Sequence, residues 1–282
     1  MINRGLYTRR RFRNSVFLVL SVGAALFGIG WLAIILWTLV TNGMEAMSST
    51  IFTQITLSTG ESGGLANAIV GSLIMSTAAV LIGTPVGILA GTYLAEYGRH
   101  NRFSVIVRFV NDILLSAPSI LIGLFIYVLI VLRMGHFSAY AGIAALAVLV
   151  VPVVVRTTEN MLLLVPNTLR EAAAALGTPR VFVIRTVTWR AARAGIMTGV
   201  LLAIARISGE TAPLLFTSLN SHDWSKGLNE PMSSLPAVIY DYAQAAPEDL
   251  HRLAWAGALL ITAAVLSLSI LARIFESQRM SQ

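Results

Sequence analysis

Two residues of opposite charge, Arg206 and Glu210, lie within an otherwise apolar run in the carboxyl-terminal third of the sequence. Their spacing of four residues places both side chains on one face of a helix, where they can pair. The planar guanidinium of an arginine can also donate two parallel hydrogen bonds to an oxyanion. Two interpretations follow. The pair either locks two helices together, or supplies an arginine for an anionic substrate, with Glu210 as counter-ion.

A second informative segment, residues 168–179, reads Thr-Leu-Arg-Glu-Ala-Ala-Ala-Ala-Leu-Gly-Thr-Pro. Thr168 followed by Glu171 matches a capping box, which predicts a helix start, and the alanines favour its propagation. Gly177 can adopt the left-handed conformation that ends a helix, and Pro179 prevents a restart. A two-turn helix is too short to be stable alone in water. We therefore expect its flanks or a partner to hold it, and a connecting helix on a membrane surface is the alternative.

Membrane-spanning helices must position both segments. Of the 282 residues, 56% are hydrophobic and 12% are charged, and the mean hydropathy is +0.77. Soluble domains are about 25% charged, so lipid must cover much of this apolar surface. A helix needs about 20 apolar residues to cross a bilayer, and six such stretches are predicted, at residues 16–40, 66–94, 109–132, 139–155, 195–216 and 253–274. Arg206 lies about 16 Å inside the fifth stretch, near mid-membrane, where charges are costly and usually functional.

The distribution of basic residues predicts the orientation of these spans. With a cytoplasmic amino terminus, sixteen basic residues fall in the predicted inner segments, including Arg156, whereas only Arg133, Lys226 and Arg252 fall outside. This asymmetry predicts that both termini and the loop around Glu171 face the cytoplasm. The net charge of +7 therefore indicates membrane topology rather than nucleic-acid binding.

Proline occurs in four of the predicted spans, at Pro85, Pro118, Pro152 and Pro213. Proline frees a backbone carbonyl and kinks a helix, which a membrane bundle tolerates where neighbouring groups satisfy that carbonyl. Ordinary packing and hinge points in a protein that changes shape are both consistent with these positions.

Enzyme signatures are absent or out of context. Residues 60–64 match G-x-S-x-G around Ser62, but a nucleophile elbow requires a strand-to-helix turn, and Ser62 falls in a predicted outer loop. A phosphate-binding loop needs G-x-x-x-x-G-K-[ST], whereas the single lysine, Lys226, lies in an outer Ser-Lys-Gly. With no cysteine, there is no thiolate metal site. We expect no catalytic residue, no metal and no bound cofactor, and we expect a separate subunit to hydrolyse ATP.

The sequence Glu171-Ala172-Ala173, followed after three residues by Gly177, resembles the EAA loop of the permeases of binding-protein-dependent ABC importers. The resemblance covers roughly residues 66–274. In that family the loop forms coupling helices that dock in a groove on a cytoplasmic ATPase. The resemblance implies this ATPase-coupling role for the residues of the segment, Thr168, Glu171, Ala172, Ala173 and Gly177.

The family pattern continues after the glycine with an aliphatic residue, any residue and then Leu-Pro. The corresponding stretch here is Val187-Thr188-Trp189-Arg190, in which the valine fits and the Leu-Pro is absent. The resemblance therefore does not predict the conformation of the chain where it leaves the coupling helix.

The run Arg-Ile-Ser-Gly-Glu-Thr-Ala-Pro-Leu-Leu-Phe, residues 206–216, is very similar to the segment that marks PstA-type permeases of phosphate-specific ABC importers. Gly63-Gly64, Ala68 and Gly71-Ser72-Leu73 also resemble the start of that family's second span. The resemblance implies an all-α polytopic membrane protein with six transmembrane helices, the type I ABC importer permease fold and a cytoplasmic coupling helix. It also implies a heterodimer with a second, homologous permease, two ATPase subunits that bind ATP and Mg²⁺, and a periplasmic phosphate-binding protein. Arg206, Glu210 and Thr211 would then line the phosphate pathway.

We therefore divide the chain into an amino-terminal arm with the first span and outer loop (1–65), a five-span permease core with the EAA loop (66–275), and a cytoplasmic tail (276–282). The predicted function is that of a permease subunit of an ATP-driven phosphate importer in the bacterial inner membrane. It would form half of the translocation path and dock the ATPase through the EAA loop. A permease for molybdate, sulfate or phosphonate is the main alternative. An ion channel is another, and it would need no ATPase-docking loop.

Overall fold

The computed structural model describes residues 4–56, 63–98 and 101–280. Its helices are α1 (Arg4–Ala46), α2 (Thr50–Thr53), α3 (Ala66–Glu96), α4 (Arg102–Ser116), α5 (Ser119–Ile126), α6 (Leu132–Met134), α7 (Ala139–Leu163), α8 (Asn167–Ala175), α9 (Arg180–Val183), α10 (Trp189–Ser208), α11 (Ala212–Leu215), α12 (Leu235–Gln244) and α13 (Glu248–Met280). Two π-helical turns, Tyr127–Val131 and Ile184–Thr188, follow α5 and α9. The described ranges contain no strand, as the predicted all-α class requires.

Five helices of the described chain are long and apolar enough to cross a membrane: α1, α3, α7, the continuous helix Arg180–Ser208 and α13. A sixth crossing is present if α4 and the helical stretch Ser119–Met134 are taken as one broken span. The count therefore agrees with the six predicted crossings when the broken pair is included.

The third predicted span is bent rather than straight. Its two halves, Arg102–Ser116 and Ser119–Met134, meet at an angle of 106°. Ala117 is extended, with ψ 135°, immediately before Pro118, because the proline ring disfavours the helical region for the residue that precedes it. Among the prolines of the predicted spans, Pro118 thus breaks its helix, whereas Pro85 and Pro152 lie inside continuous helices.

Two other predicted boundaries are corrected. The fourth span continues past residue 155 to Leu163, so Arg156 lies within α7 and not in a loop. The fifth span runs over Arg180–Ser208 instead of residues 195–216. It begins earlier because charged residues lower the local hydropathy without breaking the helix. It ends earlier because the chain leaves the helix at Gly209 and starts α11 with a proline in its first turn.

Helix α7 lies at the centre of the bundle, with 72% of its most apolar window buried. Three glycines of α3 approach it at intervals of four residues: Gly83 lies against Val150, Gly87 against Val154 and Gly91 against Thr158. Small residues at such a contact let two helix backbones approach closely, which is a common way for membrane helices to associate.

Helix α1 packs against α13 near its carboxyl-terminal end, where Gly43 is covered by Leu259 and Trp255. None of the most apolar window of α1 is buried. A helix of this composition, exposed on all sides over most of its length, is suited to contact with lipid.

Candidate functional site

The two charged residues predicted to pair lie at the end of α10. Arg206 occupies the last turn of the helix, and Glu210 follows Gly209, which ends it. The Nε of Arg206 lies 3.9 Å from Oε1 of Glu210, and the two side chains are 35% and 16% exposed. At that distance the contact is an ion pair without a direct hydrogen bond. Glu210 therefore neutralises Arg206 without occupying the donors of its guanidinium.

The packing of α10 on α7 sets the depth of this pair. Two glycines of α10 meet side chains of α7 at antiparallel spacing: Gly195 lies against Met161 and Gly199 against Thr157. Continued along both helices, this register sets Arg206 beside Val150. Val150 lies near the midpoint of α7 (Ala139–Leu163), about 17–20 Å from either end at about 1.5 Å per residue. The pair thus lies at mid-span, as the sequence predicts, although the helix that carries it ends soon after.

Thr211 lies where the chain turns from α10 into α11. Its carbonyl accepts hydrogen bonds from the backbone N–H groups of Leu214 (3.1 Å) and Leu215 (3.2 Å). Pro213, in the first turn of α11, packs against Gly123 of α5. The structure therefore brings Arg206, Glu210 and Thr211 together at one break in the fifth span, held in place by the broken third span.

The segment predicted as a coupling helix is helix α8, and it projects from the bundle. None of its residues is buried, and Leu169 within the helix and Leu176 directly after it are 47% and 86% exposed. Glu171 and Ala172 are exposed, and Ala173 is half-buried. Two exposed leucines beside a small-residue helix are an apolar surface that a partner can cover.

The two predicted ends of α8 differ in outcome. Gly177 has φ +75°, and its N–H donates to the carbonyl of Ala174 at 2.9 Å, which confirms the left-handed stop. The capping box is wrong, because the helix begins at Asn167 and no side-chain cap is formed. Pro166 precedes it, and the fixed φ of proline favours a helix start directly after it. Thr168 therefore lies inside the first turn, and Glu171 is left free to face outward.

An arginine on α8 attaches the helix to the bundle. Arg170 donates from Nη2 to Oε1 of Glu96 at 2.8 Å and to the carbonyl of Leu162 at 2.7 Å, and from Nη1 to the carbonyl of Val165 at 2.5 Å. Glu96 ends α3, Leu162 and Val165 lie at the end of α7, and the Glu96 side chain is only 6% exposed. Arg170 thus joins α8 to the ends of both helices.

Arg180 adds to the same joint. Its Nη2 donates to the carbonyl of Glu96, and its guanidinium lies 4.5 Å from the centre of the Tyr97 ring. A second buried pair lies nearby, where Arg108 of α4 bonds Glu159 of α7 at 2.7 Å. Glu96 and Glu159 were not identified from the sequence, because their partners lie 74 and 51 residues away along the chain.

The exit from the coupling segment is a continuous helix. From Arg180 the chain passes through the π-helical turn Ile184–Thr188 into α10 without a break. Trp189 and Arg190 occupy the positions of the absent Leu-Pro. The indole Nε1 of Trp189 donates to Oγ1 of Thr92 on α3 at 3.1 Å. The irregularity at this point is therefore an extra residue in one turn, and α10 is held to α3 directly beyond it.

Other candidate sites receive no support. Ser62, in the G-x-S-x-G match, lies outside the described residues. No group of three or more His, Asp and Glu side chains suited to a metal ion occurs in the described part of the chain. An apolar cavity of about 600 Å³ is lined by Ile204, Ser208 and residues of α3 and α13, on the side of α10 opposite to Arg206.

Residues 83–281 match the family model described as the binding-protein-dependent transport system inner membrane component. The chain is 57% identical over 270 residues to the phosphate transport system permease protein PstA of Pasteurella multocida, covering 96% of each chain. It is 58% identical over 266 residues to the protein of that name in Haemophilus influenzae, covering 94% of each. A probable PstA of Methanocaldococcus jannaschii is 35% identical over 255 residues, or 90% of each chain.

Solved structures of the MetNI methionine ABC transporter in inward-facing conformations contain a chain of similar fold. Two crystal forms give TM-scores of 0.56 and 0.58 over 76% of this chain, and they cover 92% and 94% of that chain. Sequence identity is 19% in both, so this similarity concerns the fold.

Proposed function

This chain belongs to the family of binding-protein-dependent transport system inner membrane components, and from that membership we propose that it is a permease subunit of an ATP-driven importer of inorganic phosphate. The family is one of multi-pass membrane proteins that work with a substrate-binding protein and a separate ATPase. The predicted type I ABC importer permease fold agrees with the similarity to MetNI. The identity of 54–58% to phosphate transport permeases, over nearly the full length of the chain, supports phosphate as the transported solute.

The Arg206–Glu210 pair is the feature of the chain best suited to phosphate. Its guanidinium lies at mid-span, half-exposed and paired at 3.9 Å. A planar guanidinium can form two parallel hydrogen bonds with a phosphate, whereas Glu210 limits the cost of the charge in the absence of substrate. We assign Arg206, Glu210 and Thr211 to the substrate pathway, which this subunit would share with a second, homologous permease.

For coupling, we assign Thr168, Glu171, Ala172, Ala173 and Gly177 to the contact with the ATPase. Helix α8 has no buried residue, Leu169 within it and Leu176 after it are exposed, and Arg170 attaches it to α3 and α7. Movement of an ATPase bound to α8 would therefore act on the ends of both helices. ATP and Mg²⁺ would be bound by that ATPase and not by this chain.

The proposed assembly contains this chain, the second permease, two ATPase subunits and a periplasmic phosphate-binding protein in a bacterial inner membrane. Both termini and α8 would face the cytoplasm, as the distribution of arginines supports. Residues 1–65 would form the amino-terminal arm, first span and outer loop, residues 66–275 the permease core, and residues 276–282 the cytoplasmic tail.

Competition between oxyanions tests the choice of solute. The complete complex, co-purified with its subunits and reconstituted in vesicles, is given labelled phosphate, with unlabelled phosphate, sulfate, molybdate or phosphonate in hundredfold excess. We expect only unlabelled phosphate to suppress uptake of the label. Uptake of labelled molybdate or sulfate in place of phosphate would instead identify the permease of another oxyanion importer.

A further inference from the structure

The ion pairs between described side chains fall into two classes by distance. Two are tight, Arg108–Glu159 at 2.7 Å and Arg170–Glu96 at 2.8 Å, and in both the carboxylate is almost completely buried. Two are loose, Arg206–Glu210 at 3.9 Å and Arg156–Asp112 at 3.8 Å. The tight pairs join helices. A loose pair at the limit of contact leaves the donors of its arginine available to another acceptor.

Arg156 resembles Arg206 in its surroundings. It lies within α7, one of the helices long enough to cross the membrane, and its side chain is 47% exposed, while that of Asp112 on α4 is 56% exposed. A charged residue inside a span is costly, and it usually faces a water-filled cavity or a pathway. Close packing does not account for this arginine, because nearly half of its side chain is open.

Arg156 and Arg206 both lie beside the contact between α7 and α10, and both side chains are partly open. Val154 and Thr158 of α7 face α3, and residues two positions apart lie on nearly opposite sides of a helix, so Arg156 points away from α3. On α10, Leu202 follows the buried Val200 by two positions and is 59% exposed. Arg206 lies one turn beyond Leu202 and two turns beyond Gly199, at the border between this exposed stripe and the face of α10 that meets α7.

The register of the two helices gives the spacing between these arginines. Arg156 precedes Thr157, which lies against Gly199, so it is matched to a position six residues before Arg206. Six residues correspond to about 9 Å along the span. Arg156 is on the side of Arg206 that leads toward α8.

We propose that Arg156 is a second phosphate-binding position in the pathway, about one and a half turns inward of Arg206, with Asp112 as its counter-ion. This inference rests on the proposed function. Two arginines at this spacing give an anion successive favourable positions, and the nearby carboxylates keep each one weak enough for release. Phosphate would pass from Arg206 to Arg156 by exchange of hydrogen bonds, with no covalent step.

Uptake of labelled inorganic phosphate by vesicles containing the complete complex tests the assignment. The variants are Arg156→Gln, Arg156→Lys, Asp112→Asn and the double change Arg156→Gln/Asp112→Asn. Arg133→Gln is the matched control, because Arg133 is also exposed and lies on the broken third span. Equal assembly with the ATPase is confirmed by co-purification before rates are compared.

We expect Arg156→Gln to lower the maximum uptake rate about tenfold, as for loss of a charged hydrogen bond. The apparent affinity of the Arg156→Gln variant for phosphate should not change. The control Arg133→Gln should take up phosphate at the rate of the unmodified complex. Arg156→Lys should retain part of the rate and Asp112→Asn most of it. A full rate for Arg156→Gln, an equal loss for Asp112→Asn, or recovery in the double variant would overturn the proposal in favour of a helix clamp or a surface pair. Absence of uptake by the unmodified complex would instead contradict the proposed function itself.

Discussion

At the scale of single residues, the proposed transport depends on an arginine that is charged, half-buried and not fully committed to its carboxylate. The 3.9 Å separation of Arg206 and Glu210 differs from the 2.7 Å and 2.8 Å of the pairs that join helices. An arginine held tightly in a structural pair would have to break those bonds before it could bind substrate. The loose geometry avoids that cost.

Arg206→Gln should abolish most phosphate uptake. An amide cannot supply the charged, two-pronged contact, and hydrogen bonds to charged groups contribute about 1.5–3 kcal/mol, which is roughly 10- to 100-fold in binding. Glu210→Gln should impair cycling or assembly instead, because it leaves the arginine without its counter-ion. Co-purification of the ATPase measures assembly, and uptake of labelled phosphate at equal assembly measures transport.

The double variant Arg206→Gln/Glu210→Gln separates the pathway from a helix clamp. A neutral amide pair can still link the end of α10 to the following turn, so a clamp predicts that uptake recovers. A pathway arginine predicts that the double variant is as inactive as Arg206→Gln. Full uptake by the double variant would remove Arg206 from the route.

Local contacts and backbone conformations within one segment were predictable from the sequence. Contacts between residues far apart in the chain were not. The Arg206–Glu210 spacing and the left-handed Gly177 follow from local geometry that a short stretch of sequence specifies. Glu96 and Glu159 look like ordinary acidic residues near span ends, and their arginines are 74 and 51 positions away. Thr168 failed as a cap because Pro166, two residues earlier, had already begun the helix.

At the scale of elements, α8 is a short helix with an exposed face and a small, polar attachment to the bundle. Its stop at Gly177 and its joint at Arg170 decide its direction. A two-turn helix gains little stability from its own hydrogen bonds, so the contacts at Glu96, Leu162 and Val165 must orient it.

Gly177→Val should uncouple ATP hydrolysis from phosphate import without preventing insertion in the membrane. No atom lies within 4 Å of a Cβ added at Gly177, so the effect is conformational, about 1–2 kcal/mol for a left-handed non-glycine residue. Gly135→Val is the matched control, because Gly135 has φ +76° and equally open surroundings but lies far from α8 in sequence. Phosphate imported per ATP hydrolysed is the measurement, and an equal loss in both variants would argue against a special role for α8.

Glu171→Lys should also uncouple the complex, but through the surface of α8. Glu171 is exposed and has no described role in holding the helix, so reversal of its charge should weaken the ATPase contact directly. The amount of ATPase that co-purifies with the permease reports this. An ATPase yield and uptake rate equal to those of the unmodified complex would defeat the docking role and favour a helix that only lies on the membrane.

Glu96→Gln should loosen the joint between α8 and the bundle. The carboxylate is 6% exposed and receives two hydrogen bonds from Arg170, and breaking a buried pair from one side costs up to about 3–5 kcal/mol. We expect a lower midpoint of thermal unfolding in detergent and less phosphate imported per ATP. Glu45→Gln, at an exposed position near the end of α1, should change neither, and an unchanged midpoint for Glu96→Gln would contradict the joint.

The sequence predicted the number of spans better than their ends. Long apolar runs identify crossings because lipid demands them. Their ends were misplaced wherever charged residues continue a helix, as in α7 beyond residue 155. From the sequence, only a kink at Pro118 in the third span could be predicted. The angle of 106° could not, because it depends on the packing of α5 against α11.

At the scale of the whole molecule, the ends of several helices meet at one arginine-rich joint around Glu96. The carboxyl-terminal ends of α3 and α7 and the start of α9 meet around Arg170 and Arg180. The excess of arginine predicts that this end faces the cytoplasm, which is where we propose that the ATPase binds.

Cysteine labelling checks this orientation, and the chain has no native cysteine. Lys226→Cys, exposed in the loop before α12, should react in intact cells with a thiol reagent that cannot cross the membrane. Arg11→Cys, exposed at the start of α1, should react only after the membrane is opened. The reverse pattern would overturn the assignment of both termini and α8 to the cytoplasm.

The most direct test of an ATP-driven phosphate permease is accumulation against a gradient. Vesicles containing the complete complex, with ATP and Mg²⁺ on the side of α8, are supplied with the phosphate-binding protein and labelled phosphate on the other side. We expect phosphate in the compartment facing α8 to rise above the supplied concentration, and accumulation to stop when ATP is withheld. Phosphate that only equilibrates, at the same rate with and without ATP, would contradict ATP-driven import and indicate a channel.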